Sequence, residues 1–303
     1  MVATICWTYN QAKYIEDTLS GFAIQQTNFP VVYIIIDDAS TDGERDVLNR
    51  WAKQNLNLDN KKESCLQTYY GELVYGRHKS NANALYSILL LAENHYQKGK
   101  GKGKYIAEWI ENTKYIAICE GDDYWTDPMK LQKQFNFLEK HNNCVLCQHA
   151  AQMLYPDNSI KENRRYNETL EKCPPDSIIK GGAGITCSNF FRAELFGIRP
   201  DWRTKAPVGD IPLVLIALNV GDVGYINEIM SCYRVSSIGS WTNRKGNGLK
   251  NNLKHYNRII LMYQNYNIWS DKRFDSSIKA KIREVRKNRI LLFLSRLKRI
   301  IFN

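Results

Sequence analysis

Short runs of consecutive apolar residues alternate, through the first half of the chain, with longer segments in which apolar residues recur every three or four positions. The runs Val2–Cys6, Val31–Ile36, Leu73–Tyr75 and Tyr115–Cys119 read as strands, and the segments Tyr14–Gln25, Glu44–Asn55, Ala82–Tyr96 and Met129–Lys140 read as helices. Strands that are apolar on both faces and separated by helices predict a mostly parallel sheet covered on both sides, with ligands bound beyond the carboxyl ends of the strands. After residue 150 the pattern becomes irregular, with one further strand expected at Ile185–Arg192, and beyond about residue 240 helical segments take over.

At 303 residues and 44% hydrophobic, the chain is long and apolar enough for a full core. The sequence has no early charged-then-apolar segment ending in small residues, and no uncharged run reaches the roughly 18 residues a membrane span needs, so the expected location is the cytoplasm. The eight cysteines lie in apolar runs without a regular spacing, which reads as reduced core residues. Cys144 and Cys147 have the spacing of a redox or zinc pair, but no second pair accompanies them.

The formal charge of +11 is concentrated at the C-terminus, where eleven Lys and Arg residues from Lys272 onward face only Asp275 and Glu284. Ile290, Leu294, Leu297 and Ile301 recur there at helical spacing among Arg289, Arg296 and Arg299. This basic amphipathic helix suits an anionic membrane surface, where each basic residue contributes about 1 kcal/mol, or else docks on its own domain. No nucleic-acid fold signature accompanies the charge, so nucleic acid is not an expected partner. The run Lys98 to Lys104, alternating Lys and Gly, reads as a mobile surface insertion, with contact to phosphates as the alternative.

The chemistry is densest where the fourth predicted strand ends, in Glu120, Asp122 and Asp123. Carboxylates are hard ligands suited to Mg²⁺ or Mn²⁺, and such an ion completes its shell with substrate phosphates. The first strand is followed by Trp7-Thr8-Tyr9-Asn10-Gln11, without the glycines of a dinucleotide turn, and the chain has no phosphate-binding P-loop. Asp37 and Asp38 end the second strand, where they suit a ribose or base edge, or the local capping of Ser40 and Asp42.

The segment EGDDYWTDPMKLQKQ resembles the metal-binding segment of the family 2 glycosyltransferases, which are inverting, nucleotide-sugar-dependent enzymes. ICWTYNQAKYIEDTLSG resembles their opening strand and nucleotide loop, IIIDDASTDG their second strand and acidic loop, and PVGDIPL their base motif. The resemblance implies an α/β GT-A fold, a Rossmann-like, mostly parallel sheet flanked by helices, over residues 1–240, with a helical basic extension over 241–303. It places Asp122 and Asp123 on the metal, Asp122 also on the donor diphosphate, and Thr8, Asn10, Asp37 and Asp38 beside the nucleotide. Arg77 and Lys79 fall near the phosphates or the base, and Asp210 serves as the general base; Asp210 also sits where a helix N-cap would. His78 reads as a surface residue, and Tyr124 and Trp125 as walls of the sugar pocket or as core. Arg234, in the segment Met230–Trp241, contacts a phosphate or locks its loop. The family reading implies a UDP-sugar first among nucleotide-diphosphate donors, Mg²⁺ or Mn²⁺ as cofactor, and a glycan or lipid-linked glycan as acceptor in surface polysaccharide or lipopolysaccharide assembly. A metal-dependent nucleotidyltransferase, which shares such a sheet and acidic pair, is one alternative, and a non-catalytic nucleotide-sugar-binding protein is another, because Glu120 and the serines after Arg234 depart from the family pattern.

Overall fold

The computed structural model describes residues 1–58, 64–237 and 248–301, the last six of these by their backbone alone. The expected domain boundary at 240, together with Ile238 to Trp241 of the predicted acceptor-side segment, lies outside the described residues, as do the side chains of Arg296 to Ile301.

Strands β1 (Val2–Thr8) and β2 (Val31–Asp37) are parallel neighbours, with Val2 opposite Val31 and Thr8 opposite Asp37. Nearly every residue in both is buried, because helices cover the two faces of the sheet. Helix α1 (Ile15–Ala23) buries Ile15, Leu19 and Phe22 against one face, where each large apolar side chain contributes roughly 1.5–3 kcal/mol. Helix α2 (Glu44–Asn55) covers the same face with Leu48, Trp51 and Ala52.

Next come the short β3 (Leu56–Asn57), then β4 (Cys65–Thr68), β5 (Gly71–His78) and β6 (Asn81–Leu91). Residues 82–91 are therefore a strand and not the expected helix. Strand β6 lies beside β2 in parallel, so both its faces are covered and its apolar run is continuous. Ile88 and Leu90 enter one core cluster, and Leu89 and Leu91 enter the other. The Ala- and Leu-rich composition favours helix locally, but pairing with β2 and β5 prevails.

Helix α3 (Lys104–Ile110) leads to β7 (Tyr115–Ile118), which is parallel to β1 on its other side. After the short β8 (Tyr124–Trp125) and α4 (Lys130–Lys140) come β9 (Cys144–Leu154) and β10 (Ile160–Asn163). Helix α5 (Pro175–Gly181) precedes β11 (Phe190–Arg192), a shorter strand than expected because Thr186–Ser188 form a 3₁₀ turn ahead of it. Small helices α6 (Glu194–Gly197) and α7 (Asp201–Thr204) are followed by α8 (Asp210–Val220) and β12 (Asp222–Arg234). The sheet order is β3-β5-β6-β2-β1-β7-β11-β9-β12-β8, with β10 paired to β9 and β4 to β5. Strand β11 is antiparallel to both β7 and β9, which leaves β1, β2, β6, β7, β9 and β12 all running the same way.

Two long helices, α9 (Leu249–Trp269) and α10 (Asp275–Ile301), finish the described chain. Tyr263 and Tyr266 of α9 and Ile278, Ile282 and Val285 of α10 belong to the same core cluster as Ile116 and Val214. The first half of α10 is therefore docked on the domain. Further along it, Ile290, Leu291, Phe293 and Leu294 are exposed. Among the described residues, no helix is long and apolar enough to cross a membrane.

Candidate active site

The six co-directed strands end on one side of the sheet, and that is where the acidic turn lies. Cys119 N–H donates to the Ile5 carbonyl (3.1 Å) and Gly121 N–H to that of Trp7 (3.1 Å), which seats residues 120–123 against the end of β1. A Cβ on Gly121 would lie 2.3 Å from Thr8 Oγ1 and 2.6 Å from Gln11 Oε1, so no larger residue fits without moving the nucleotide-side loop. From the α1 side, Thr18 Oγ1 contacts the carbonyls of Gly121 (3.0 Å) and Asp123 (2.6 Å).

Glu120, Asp122 and Asp123 each place a carboxylate oxygen within 4.8 Å of the others. Asp123 is buried; its Oδ1 accepts the Arg234 N–H (2.9 Å), whereas its Oδ2 has no hydrogen-bond partner. Burial, then the charges of Asp122 and Glu120, push the Asp123 carboxyl well above the usual carboxylate range. A buried carboxylate oxygen without a donor is costly unless a cation or proton meets it. Three clustered oxygens with one such atom fit a hard divalent ion, and these residues would hold it.

Arg234 settles one alternative. Its Nη1 donates to the Asp122 carbonyl (2.7 Å), its Nη2 pairs with the Asp17 carboxylate, and its guanidinium lies 4.9 and 4.6 Å from the rings of Tyr14 and Tyr124. It locks the acidic turn between β12 and α1. Ser237 Oγ contacts Asp122 Oδ2 from the same segment. Trp125 is core, with its ring on Phe22 and its Nε1 donating to the Cys187 carbonyl (3.0 Å), while Tyr124 stays partly exposed beneath Arg234. Cys144 and Cys147 are buried free thiols.

Thr8 and Asn10 spend their polar groups on the loop after β2, and Asp37 spends its own within that loop. Asn10, at a positive φ of 54°, accepts Thr41 N–H through Oδ1 (2.8 Å) and donates its own N–H to Ser40 Oγ (2.8 Å). Asp37 accepts Ser40 N–H (3.2 Å), the local capping role. Beneath them Glu44, fully buried, accepts Gln11 N–H (2.8 Å) and Ser40 Oγ–H (2.8 Å) and contacts Thr8 Oγ1. Burial is the main reason its carboxyl is raised to about 7.

Asp38 faces the other side of the sheet. Its carboxylate accepts the N–H groups of His95 (2.7 Å) and Tyr96 (3.1 Å) and the ammonium of Lys102 (2.8 Å). The Lys-Gly run is thus tethered, with Lys98 and Lys100 on Glu93 and Lys102 on Asp38. Glu44 has no motif around it that would single it out in the sequence, and Lys102 lies within the Lys-Gly run that reads as mobile.

Arg77 and Lys79 lie elsewhere. They flank the β5–β6 hairpin, and Ala84, just beyond it, pairs with Val31 at the start of β2, whereas Asp37 pairs with Leu90. Six residues of strand, about 20 Å, separate that hairpin from the acidic loops. Arg77 donates to the Ala82 carbonyl and Lys79 to those of Lys53 and Gln54. The family resemblance, and not the pattern of the sheet, had placed them near the phosphates or the base. His78 is buried against Trp51 and Tyr86, not on the surface.

Asp210 opens α8, which packs on β12 and β9 and ends at Gly221, where β12 begins opposite Cys144 at the amino end of β9. The helix therefore runs against the strands for about 16 Å, and Asp210 lies at the carboxyl-end side of the sheet. Its Oδ1 accepts the Ile211 N–H (2.8 Å), and burial pushes its carboxyl upward.

A model of the family described as "Glycosyl transferase family 2" matches residues 4–63. An uncharacterized protein of Mycobacterium tuberculosis is 35% identical over 243 residues, covering 77% of this chain and 58% of that protein. The putative teichuronic acid biosynthesis glycosyltransferase TuaG of Bacillus subtilis is 28% identical over 138 residues, 46% of this chain and 42% of its own. The chain thus spans less than two thirds of the length of these relatives. Among solved structures, S. aureus TarS 1-349 in complex with UDP-GlcNAc superposes with a TM-score of 0.58 at 17% identity, over 86% of this chain and 65% of that one, a likeness of fold.

Proposed function

The chain belongs to glycosyl transferase family 2 and has the GT-A fold, and from that premise we propose that it transfers a sugar, with inversion, from a nucleotide-diphosphate donor to a hydroxyl of a growing surface glycan. The observation that carries this reading is the partnerless Asp123 Oδ2 within the acidic turn, beside the loops of Thr8 and Asp38. Asp122 and Asp123, with Glu120, would hold Mg²⁺ or Mn²⁺, which when bound offsets the charge of the diphosphate leaving group. The donor is a UDP-sugar, a choice supported by the UDP-GlcNAc complex of the TarS fold.

Asp210 is the general base in this reading. It takes the acceptor hydroxyl proton as that oxygen attacks the anomeric carbon from the face opposite the diphosphate, and its burial, which raises its proton affinity, suits the task. Arg234 holds the acidic turn in place, Thr8 and Asn10 tie the loop after β1 to the loop after β2, and Asp37 caps the latter. A lipid-linked glycan is the acceptor class that fits the exposed Ile290–Leu294 stretch and its basic neighbours Arg286 and Lys287, which together suit an anionic membrane surface at the cytoplasmic face.

The test is a thermal-shift panel of UDP, GDP, dTDP and CMP and their sugars, with Mn²⁺, Mg²⁺ or chelator. A ligand at 100 times its Kd stabilises by about 2.7 kcal/mol. A metal-dependent shift with one donor, followed by release of nucleoside diphosphate in the presence of an acceptor, is expected. Pyrophosphate release would instead identify a nucleotidyltransferase, and binding without turnover on any acceptor would sink the catalytic reading.

A further inference from the structure

Asp38 accepts three donors on the nucleotide side of the site. Its side chain is almost wholly buried, and two of its three donors are main-chain amides fixed in a turn that Asn94 pins to the Asp38 carbonyl (2.9 Å). The third donor, Lys102 Nζ, is on a flexible stem, is 19% exposed, and lies 5.6 Å from the centroid of the partly exposed Trp7 ring. Gly101 and Gly103 flank it, so the backbone imposes little on where the ammonium points. Of the three donors, the Lys102 ammonium is thus the one least constrained by the backbone and the one that reaches solvent. Trp7 in turn adjoins the acidic turn through its carbonyl, which accepts Gly121 N–H.

An aromatic face beside a buried acceptor is what a planar base with a ring N–H would need, with stacking on the indole and donation to the carboxylate. An ammonium satisfies both features at once, by cation–π attraction and a charge-assisted hydrogen bond. We propose that Lys102 is a displaceable occupant of the nucleobase position, and that donor binding exchanges its ion pair with Asp38 for one with the donor diphosphate. This rests on the donor-binding reading above. The exchange favours bases with a ring N–H, such as uracil, and makes Lys102 a determinant of selectivity between nucleoside and nucleoside diphosphate. A bare nucleoside must break the Lys102–Asp38 pair without compensation, while a diphosphate takes up the released cation.

The experiment is calorimetric titration of uridine, 3-methyluridine and UDP, with Mn²⁺ present, into the wild-type protein, Lys102→Met and Lys102→Gln. Lys102→Met should bind uridine about tenfold tighter than wild type, and the extra affinity of UDP over uridine should fall by about tenfold, the scale of one charge-assisted hydrogen bond. Lys102→Gln, which keeps a donor for Asp38, should move both values the same way by less. 3-Methyluridine, which lacks the ring N–H, should show none of the gain. If both variants bind uridine no tighter than wild type, Lys102 is a structural anchor and the proposal is overturned. If wild type and both variants alike bind no nucleotide, the donor-binding reading itself falls.

Discussion

Replacing Glu44 by Gln tests whether the nucleotide loops rest on a protonated carboxyl. Thr8 Oγ1 lies 2.8 Å from Gln11 Oε1 and also contacts Glu44 Oε1, and a hydroxyl has only one hydrogen to give. A neutral Glu44 resolves this by donating to Thr8, in agreement with a carboxyl raised to about 7 from an ordinary 4.5. The sign follows from the direction. A carboxyl raised on folding contributes stability that is complete below the unfolded value and is lost as pH rises through the folded one, so the loss falls between about pH 4.5 and 7. At 1.36 kcal/mol per pH unit, the full effect is on the order of 3 kcal/mol as an upper limit. Gln keeps a carbonyl for Gln11 N–H and Ser40 Oγ–H and offers Thr8 an amide, without titrating. Urea unfolding of both proteins from about pH 5 to about pH 8 should show the wild type losing on the order of 2–3 kcal/mol relative to Glu44→Gln. Parallel stability curves across that range would refute the reasoning.

Asp123→Ala should abolish the Mn²⁺-dependent rise in Tm without lowering the metal-free Tm, since it removes a buried acid with one oxygen unpaired; differential scanning fluorimetry reads both. Asp210→Asn should lower kcat by about 100-fold or more while leaving the UDP Kd within about twofold, as checked by turnover and calorimetry. Arg234→Lys keeps the charge but loses the two-headed fork that spans Asp122 and Asp17, so Mn²⁺ affinity should weaken by about tenfold in direct titration. The double variant Arg77→Ala, Lys79→Ala should leave kcat/KM within about twofold, because that hairpin lies at the far end of the sheet.

The acidic turn and the first βαβα run are legible in the sequence because they are local. Val2–Cys6 and Val31–Ile36 are strands, and Glu120, Asp122 and Asp123 do converge. Residues 82–91 mislead because a strand buried on both faces loses the alternation that identifies strands, leaving Ala and Leu to argue for helix. Arg77 and Lys79, placed by resemblance alone, lie at the opposite end of the sheet from the acidic turn. Lys102, which does reach the loop after β2, is hidden in a repetitive Lys-Gly run, and its partner Asp38 is 64 residues away. Arg234 pairs across more than a hundred residues with Asp122 and Asp123, a distance over which periodicity carries no information.

The close approach of Gly121 to Thr8 and Gln11 bears on how such proteins can be recombined. The residues that would grip the donor and those that would grip the metal are not separate cassettes on a neutral scaffold, because they meet without room for a methyl group. Grafting the first loop of a relative into this chain, in the hope of changing its donor, would require the acidic turn to travel with it. Chimeras cut between the two should fold poorly or misplace the metal, whereas those that keep residues 8–11 and 119–123 from one parent should retain a working geometry.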